Sequence, residues 1–472
     1  FAALDGAMEG DDGLPPVQGM PESGPQDAGP VTDETLPAET QTGLPVSEIE
    51  IVRIAQQALA VGRSVSTERG AAFGLTMRFD MASSGPDYSG AGGMTMRQTQ
   101  KADIAFYGYE GIEGLDIGQL IVSKGRESQS MSMEGEGAEE IGYGDGFAFS
   151  QAQTYDFSMV EGLKLDKLAG FLARSEFPSM KERDLMSFGT WSVQGYEMKL
   201  SSKDVFRAEL MQFKADDFAW LIPEAMSLDI RGASVAPQEL GEMVLTFLPR
   251  AALSEEDQSY RADIATAIDL MDDHGFASIP FDISVKGSWN ADDGETRFRF
   301  SSEAEDFGNR LMRFAIKMPD YAQIEALEAS GEAFEPGFEA LFQKNFAFIG
   351  ARYFESDEGG YDKLFAYLHA LGAIYEDQGW GATLAGMPPE RMRGFIAAAL
   401  RSGAGSLPKE YPQMTDWLEA AAAYFETSGG SLDIRMEPAT PLTPDAIKAS
   451  AEAGDDEAWL DQFGISVTHT PE

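Results

Sequence analysis

The sequence contains no cysteine. Disulfides, zinc–thiolate sites and thiol nucleophiles are therefore excluded, and complete absence of cysteine suits a protein exported by a bacterium. Histidine is nearly missing too: His274, His369 and His469 are the three occurrences. There is no His-x-x-x-His pair, no His–Glu pair and no Gly-x-Ser-x-Gly elbow, so a histidine triad or histidine zinc site has no support. Positive charge is scarce, with 35 Lys and Arg against 79 Asp and Glu and a formal net charge of −44. Nucleic acid, which is bound through Lys and Arg on phosphate, is not an expected partner. General attraction to anionic membrane surfaces is not expected either. The acid excess reads most simply as solubility through self-repulsion. No apolar run approaches the ~18 residues of a membrane-spanning helix, so no transmembrane segment is expected. The chain begins at Phe1 rather than Met, the pattern left when a leader is removed.

What is present is organised around Phe281 to Met318. Phe281, Ile283, Val285, Gly287 and Trp289 alternate with polar residues, as a strand with one apolar face does. Asn290-Ala-Asp-Asp-Gly294 is a run of turn formers. Phe298 and Phe300 then alternate with Arg297 and Arg299, and Met312, Phe314, Ile316 and Met318 alternate with Arg313, Ala315 and Lys317. This predicts a three-stranded antiparallel meander near 281–289, 296–301 and 311–318. Register follows from the rule that opposed residues share a face. Pairing Asn290 with Glu295 leaves the loop Ala291 to Gly294, sets Val285 against Phe300, and lays Phe298 over Gly287. It also sets Arg299 against Lys286, a like-charge contact. Phe298 is expected in the core. The polar side carries Lys286, Arg297, Arg299, Arg313 and Lys317, a dense basic face on a strongly acidic chain. Either an acidic helix or the tail covers it internally, or it docks anionic lipid head groups, lipopolysaccharide phosphate or an acidic partner.

Along the chain four segments separate. Residues 1–46 are rich in Pro, Gly, Asp and Glu and read as a disordered acidic linker. Residues 47–180 begin with a helix from Ser47 to about Val65, with Glu50 completing a capping box. A glycine-rich region of short alternating strands follows from Ala71 to about Tyr155, then an amphipathic helix over Glu161–Phe177. Residues 181–333 form a β-rich domain containing the meander. Its strands include Trp191–Leu200, Phe206–Trp220 and Met226–Ile230. The best helix of the chain, Ser254–His274, precedes the meander and is stopped by Gly275. Residues 334–472 are largely helical, with helices over Gly337–Phe354, Tyr361–Glu376, Pro389–Leu400 and Tyr411–Thr427. Strands Ser431–Glu437 and Gly464–Thr470 close the chain around a helix at Asp445–Ala453. The fold class is α+β, with long, mainly antiparallel sheet and a largely helical C-terminal block.

Leu221-Ile-Pro-Glu-Ala-Met-Ser-Leu-Asp-Ile-Arg-Gly232, His274 to Ile283 and Gly429-Gly-Ser-Leu-Asp-Ile-Arg-Met-Glu-Pro438 resemble segments of large exported proteins of Gram-negative bacteria. That resemblance covers about residues 180–470. It implies long antiparallel sheets and a periplasmic or cell-envelope location, and it supplies no functional residues.

Catalytic and cofactor motifs are wanting: no phosphate loop is followed by Lys-Ser/Thr, and no cofactor fingerprint occurs. Asn290–Gly294 and Glu355–Gly359 offer oxygens for calcium without the alternating ligand spacing of a calcium loop. Paired carboxylates are available by number alone in so acidic a chain. The expected function is a non-enzymatic envelope protein, a β-rich scaffold or binder of hydrophobic ligands such as lipid, to which 22 methionines would lend adaptable apolar surface. The alternative is a structural subunit of an envelope or surface assembly with a protein partner. A carboxylate-based hydrolase ranks third.

Overall fold

The computed structural model describes residues 67–85, 94–134, 147–176, 178–215, 217–247, 255–330, 334–407, 411–453 and 460–471. The acidic segment 1–46 and the helix read at Ser47–Val65 lie outside them.

Four long strands open the described chain: β1 (Thr67–Gly85), β2 (Met94–Glu113), β3 (Asp116–Glu134) and β4 (Phe147–Leu163). They run for 17 to 20 residues each, where short strands were expected. Glycines and serines in this region do not break the strands. They lie within continuous ladders, and Met131 and Met133 pair with Phe149 and Phe147 across one of them. Helix α1 occupies Asp166–Ala173 only, because Glu161 to Leu163 belong to β4 and pair with β3 and β5. Then come β5 (Gly189–Leu200), β6 (Lys203–Ala215), a two-residue ribbon of β7 (Phe218–Ala219) and β8 (Ile222–Pro223), and β9 (Ala225–Val235). Helices α2 (Pro237–Phe247) and α3 (Glu255–Asp273) follow, and Gly275 at φ +82 ends the helical path as expected.

The meander is β10 (Ile279–Trp289), β11 (Glu295–Ala304) and β12 (Gly308–Lys317). Its register is the one derived from the sequence: Val285 opposes Phe300, Gly287 opposes Phe298, and Lys286 opposes Arg299. The connecting loop is also as derived. The Asn290 N–H donates to the Glu295 carbonyl at 2.8 Å, and the Gly294 N–H to the Asn290 carbonyl at 2.8 Å. The Asn290 and Asp293 side chains accept the N–H groups of Asp292 and Glu295, each at 2.9 Å, so these oxygens serve the turn itself.

The helical block contains α4 (Tyr321–Ser330), α5 (Phe334–Asn345), α6 (Gly360–Ile374), α7 (Gly379–Ala385), α8 (Pro389–Ser406), α9 (Pro412–Glu426) and α10 (Pro444–Ala453). It is interrupted by β13 (Ala347–Ser356), and β14 (Ser431–Met436) and β15 (Ile465–Thr470) close it. The strand β13 corrects the sequence reading, which continued the helix from Gly337 to Phe354. Ala347-Phe-Ile-Gly-Ala-Arg-Tyr-Phe354 has apolar residues at helical spacing, yet it is rich in aromatics and holds a mid-run glycine. The outer edge of β12 decides the matter, because its backbone groups need partners. β13 supplies them on one side and pairs with β14 on the other.

All these strands except the short ribbon join one antiparallel sheet of 13 strands, in the order β1-β2-β3-β4-β5-β6-β9-β10-β11-β12-β13-β14-β15. Each strand thus pairs with its nearest long neighbours in the sequence, and the sheet runs through all three segments read after residue 46. At the Trp289 end of β10, a small core gathers Met180, Ala219, Trp289, Ala291, Tyr321 and Ile324. The Arg183 guanidinium sits 4.3 Å from the Tyr321 ring centre. No described helix is long and apolar enough to cross a membrane.

Candidate functional site

Opposed residues in an antiparallel sheet share a face, so the register traces rows of side chains across the strands. One row passes from Trp191 on β5 to Phe213, Leu228, Val285, Phe300 and Met312. It continues through Tyr353, Ile434 and Val467 on β13, β14 and β15. Every member is apolar or aromatic. The neighbouring row on the same face carries Met226, Gly287, Phe298, Phe314, Ala351 and Met436. Phe298 stacks on Phe314 with ring centres 5.1 Å apart.

Packed elements cover this apolar face at its ends. At β14 and β15, α9 lies over it: Leu432 is buried, as is Tyr424, whose ring is 6.3 Å from that of His469. At Trp289 the small core closes over it. Between these covers the face is open. Trp191 is 45% exposed, Met226 41%, Leu228 37%, Met312 44% and Phe314 37%. Phe298 and Phe300 are half-buried, so the expectation that Phe298 is a core residue is corrected. The side chains of this meander pack sideways on one another, and among the described residues no second layer completes their burial.

The opposite face carries the basic residues. Lys286 opposes Arg299, Arg299 opposes Arg313, Arg313 opposes Arg352, and Arg352 opposes Arg435. Five cations on adjacent strands β10 to β14 therefore form a ladder. The structure brings Lys286, Arg299 and Arg313 together in it. Arg297 lies one step along the same face, opposite Ala315, and Lys317 a further step on, opposite Glu295. Arg297 is held by Glu295 at 2.7 Å. Sequence reasoning missed Arg352 because its segment read as helix. It missed Arg435 because the strand partner of 431–437 was not identifiable.

Like charges directly opposed destabilise a sheet pair by roughly 0.2–1 kcal/mol. The ladder is offset at one end by Asp433. Arg352 reaches it through Nε and Nη2 at 3.0 and 3.1 Å, and Arg435 through Nη2 at 2.7 Å. Burial pushes the Asp433 carboxyl up, but hydrogen bonds from Arg435 and Arg352 outweigh this and hold it below the ordinary range. At the other end the same-face positions one step from Lys286, Arg299 and Arg313 on their own strands are Ser284, Ser288, Arg297, Ser301, Leu311 and Ala315. On the adjoining strand β9, Asp229 opposes Ser284 on the same face, and Arg299 and Arg313 both have interaction partners.

A polar cluster fastens the helical block to the sheet. The buried Glu355 carboxylate accepts from the Tyr353 hydroxyl at 2.7 Å, the Tyr361 hydroxyl at 3.1 Å and Arg310 Nε at 3.1 Å. Burial, with the neighbouring carboxylate, pushes both tyrosines up to about 12. Arg393, on α8, donates from Nη2 to Asp357 at 2.5 Å and from Nε to Asp362 at 2.6 Å. Asp357 also accepts the N–H groups of Gly359 and Tyr361. The oxygens of Glu355–Gly359 that suggested calcium are thus engaged within the chain. For Asp362, burial raises the carboxyl pKa, and the hydrogen bonds from Arg393 and Ser428 bring it below the ordinary value. These are the features of fixed ion pairs, not of a carboxylic acid kept protonated for general acid catalysis. A cleft of about 530 Å³ beside α4 is lined by Ser179, Lys181, Ala322, Glu325, Ala326, Glu328 and Ala329. There Glu328 accepts the Met180 N–H at 3.0 Å.

A family model described as "Uncharacterized protein" matches residues 380–470, which run from α7 through α8, α9, β14 and α10 to β15. No curated protein matches the chain.

Proposed function

We propose that this chain is a non-enzymatic protein of the bacterial cell envelope that binds lipid or a similar hydrophobic ligand on the open apolar face of its sheet. The observation that carries this reading is the cross-strand row from Trp191 to Met312, with large apolar side chains left 37–45% exposed along it and beside it. At about 25 cal/mol per Å² of apolar surface, covering such side chains is worth on the order of 1 kcal/mol each, so several of them together suit an acyl chain. The two methionines among the five adapt to chains of varied shape. An exported location is supported by the absence of cysteine and by the resemblance of residues 180–470 to envelope proteins.

Native mass spectrometry of the protein purified from a bacterial host, followed by organic extraction, tests the reading. Co-purifying lipid is expected, and the double variant Leu228→Glu/Met312→Glu is expected to lose it while keeping its circular dichroism spectrum. Wild-type protein free of lipid, and unable to take up a fluorescent fatty acid, would overturn the proposal.

A second reading, a structural subunit of an envelope assembly, is favoured by β1. This strand of 19 residues stands at one end of the described sheet, and a long sheet edge is a surface on which another chain can add a strand. Light scattering that shows a stable oligomer without lipid would favour this reading over the first.

A further inference from the structure

We propose that the ligand of the open apolar face is a two-chain lipid of the glycerophospholipid type, its acyl chains lying side by side across the strands. The proposal rests on the lipid-binding reading above and names the class of lipid. Its basis is the number of apolar rows. A third row lies beside the two already described, on the side away from Met226. In it Val193, Met211, Ile230 and Ile283 oppose one another from β5 to β10, and all four are half-buried. Same-face side chains recur along a strand about every 6.8 Å, so three rows bound two parallel troughs. The row from Trp191 to Met312 is their shared wall. One trough is walled on both sides from β9 to β12 and the other from β5 to β10. Four strands at about 4.8 Å spacing make each roughly 14 Å long. An acyl chain that fills half of a ~30 Å hydrocarbon core reaches about 15 Å, so each trough holds one chain lengthwise.

Area decides between one chain and two. Trp191, Met226, Leu228, Met312 and Phe314 are each about two-fifths exposed, and side chains of this size carry roughly 150–250 Å², so on the order of 400 Å² is bare. A methylene presents about 30 Å² to solvent, and a chain of about 15 methylenes turns about half of its surface to a flat face, near 240 Å². One chain leaves much of the face wet. Two cover it, together with the half-buried Phe298 and Phe300. The third row turns polar at Ser302 and Arg310, where Glu355 accepts from Arg310 Nε at 3.1 Å. Both troughs end near this corner. It is polar and charge-balanced, which suits the glycerol and ester oxygens where two chains join and does not select for an anionic head.

Native mass spectrometry of the full chain, stripped of lipid and then saturated with one lipid at a time, tests the count. One phosphatidylcholine per chain is expected, but two molecules of oleic acid, one in each trough. Met226→Glu sets a carboxylate on the second row alone. It is expected to hold one oleic acid and to bind phosphatidylcholine about tenfold more weakly, since a buried unpaired charge opposes the chain in that trough. Met226→Leu should keep the wild-type count and guards against a folding artefact. Wild-type protein that saturates with a single oleic acid would overturn the proposal, as would a Met226→Glu variant that still holds two. Either result leaves the carrier reading standing, because lipid is still bound. Wild-type protein that binds neither oleic acid nor phosphatidylcholine defeats the carrier reading itself, and the two-chain proposal with it.

Discussion

Phe298 shows how a side chain can be placed on the right face and still not be buried. Its alternation with Arg297 and Arg299 assigns it to the apolar face, and its partner Gly287 is as derived. Burial depends on what lies above the face, and above Phe298 the described contact is lateral, a stack on a Phe314 that is itself 37% exposed. Truncation to Ala is therefore expected to cost about 1.5–2.5 kcal/mol, below the 3–5 kcal/mol typical of a fully enclosed aromatic. Urea unfolding gives the number. A loss above 4 kcal/mol would mean that Phe298 is enclosed in solution and that the apolar face is covered.

At the scale of the element, the meander is held by its turns as much as by its faces. Gly294 has φ +76, and a Cβ there would lie 1.9 Å from the Met318 carbonyl oxygen. That carbonyl stands next to the point where the Met318 N–H donates to the Gly294 carbonyl at 2.8 Å, so two strands and the entry to α4 meet at one glycine. Gly294→Ala must bear both a left-handed backbone and a clash, and a loss of about 2–4 kcal/mol is expected. A melting temperature within 1 °C of wild type would show that the turn adopts another form. β13 illustrates the converse at the same scale. Its sequence satisfies a helical spacing as well as a strand's, and a ten-residue segment cannot resolve this from its own composition. The choice is made by the unpaired edges of β12 and β14.

For the whole molecule, the abundance of acid has opposite effects on solubility and on the ion pairs that join its parts. Asp362 links α6 to α8 through Arg393, and Asp433 links β14 to β13 through Arg352 while also holding Arg435 on its own strand. Both carboxyls are held below their ordinary values in the folded protein. A depressed folded-state pKa contributes stability that is fully present above the unfolded value, near 4, and is lost as pH falls through the folded value. Stability to urea is therefore expected to be steady from pH 7 down to about 5 and to fall below pH 4. Asp433→Asn should flatten that fall. An undiminished acid transition in this variant would remove Asp433 from the account.

What the sequence determined by itself was local and periodic. Alternation named the strands β10, β11 and β12, the turn formers placed the loop, and the one-step rule of face matching set the register of Val285, Gly287 and Lys286. The stop at Gly275 located the end of α3, apolar spacing located α9, the Thr443-Pro444 pair marked the start of α10, and the basic residues Lys286, Arg299 and Arg313 were visible as one face. The pairing of distant segments was decided only by the tertiary structure. Arg352 and Arg435 join the ladder because β13 enters between β12 and β14. Trp191, Met226 and Leu228 join the apolar face because β5, β6 and β9 lie beside β10. Hydrogen bonding across a sheet edge carries no side-chain signature, so neither the continuation of a row nor the cover above it can be read from the residues of one strand.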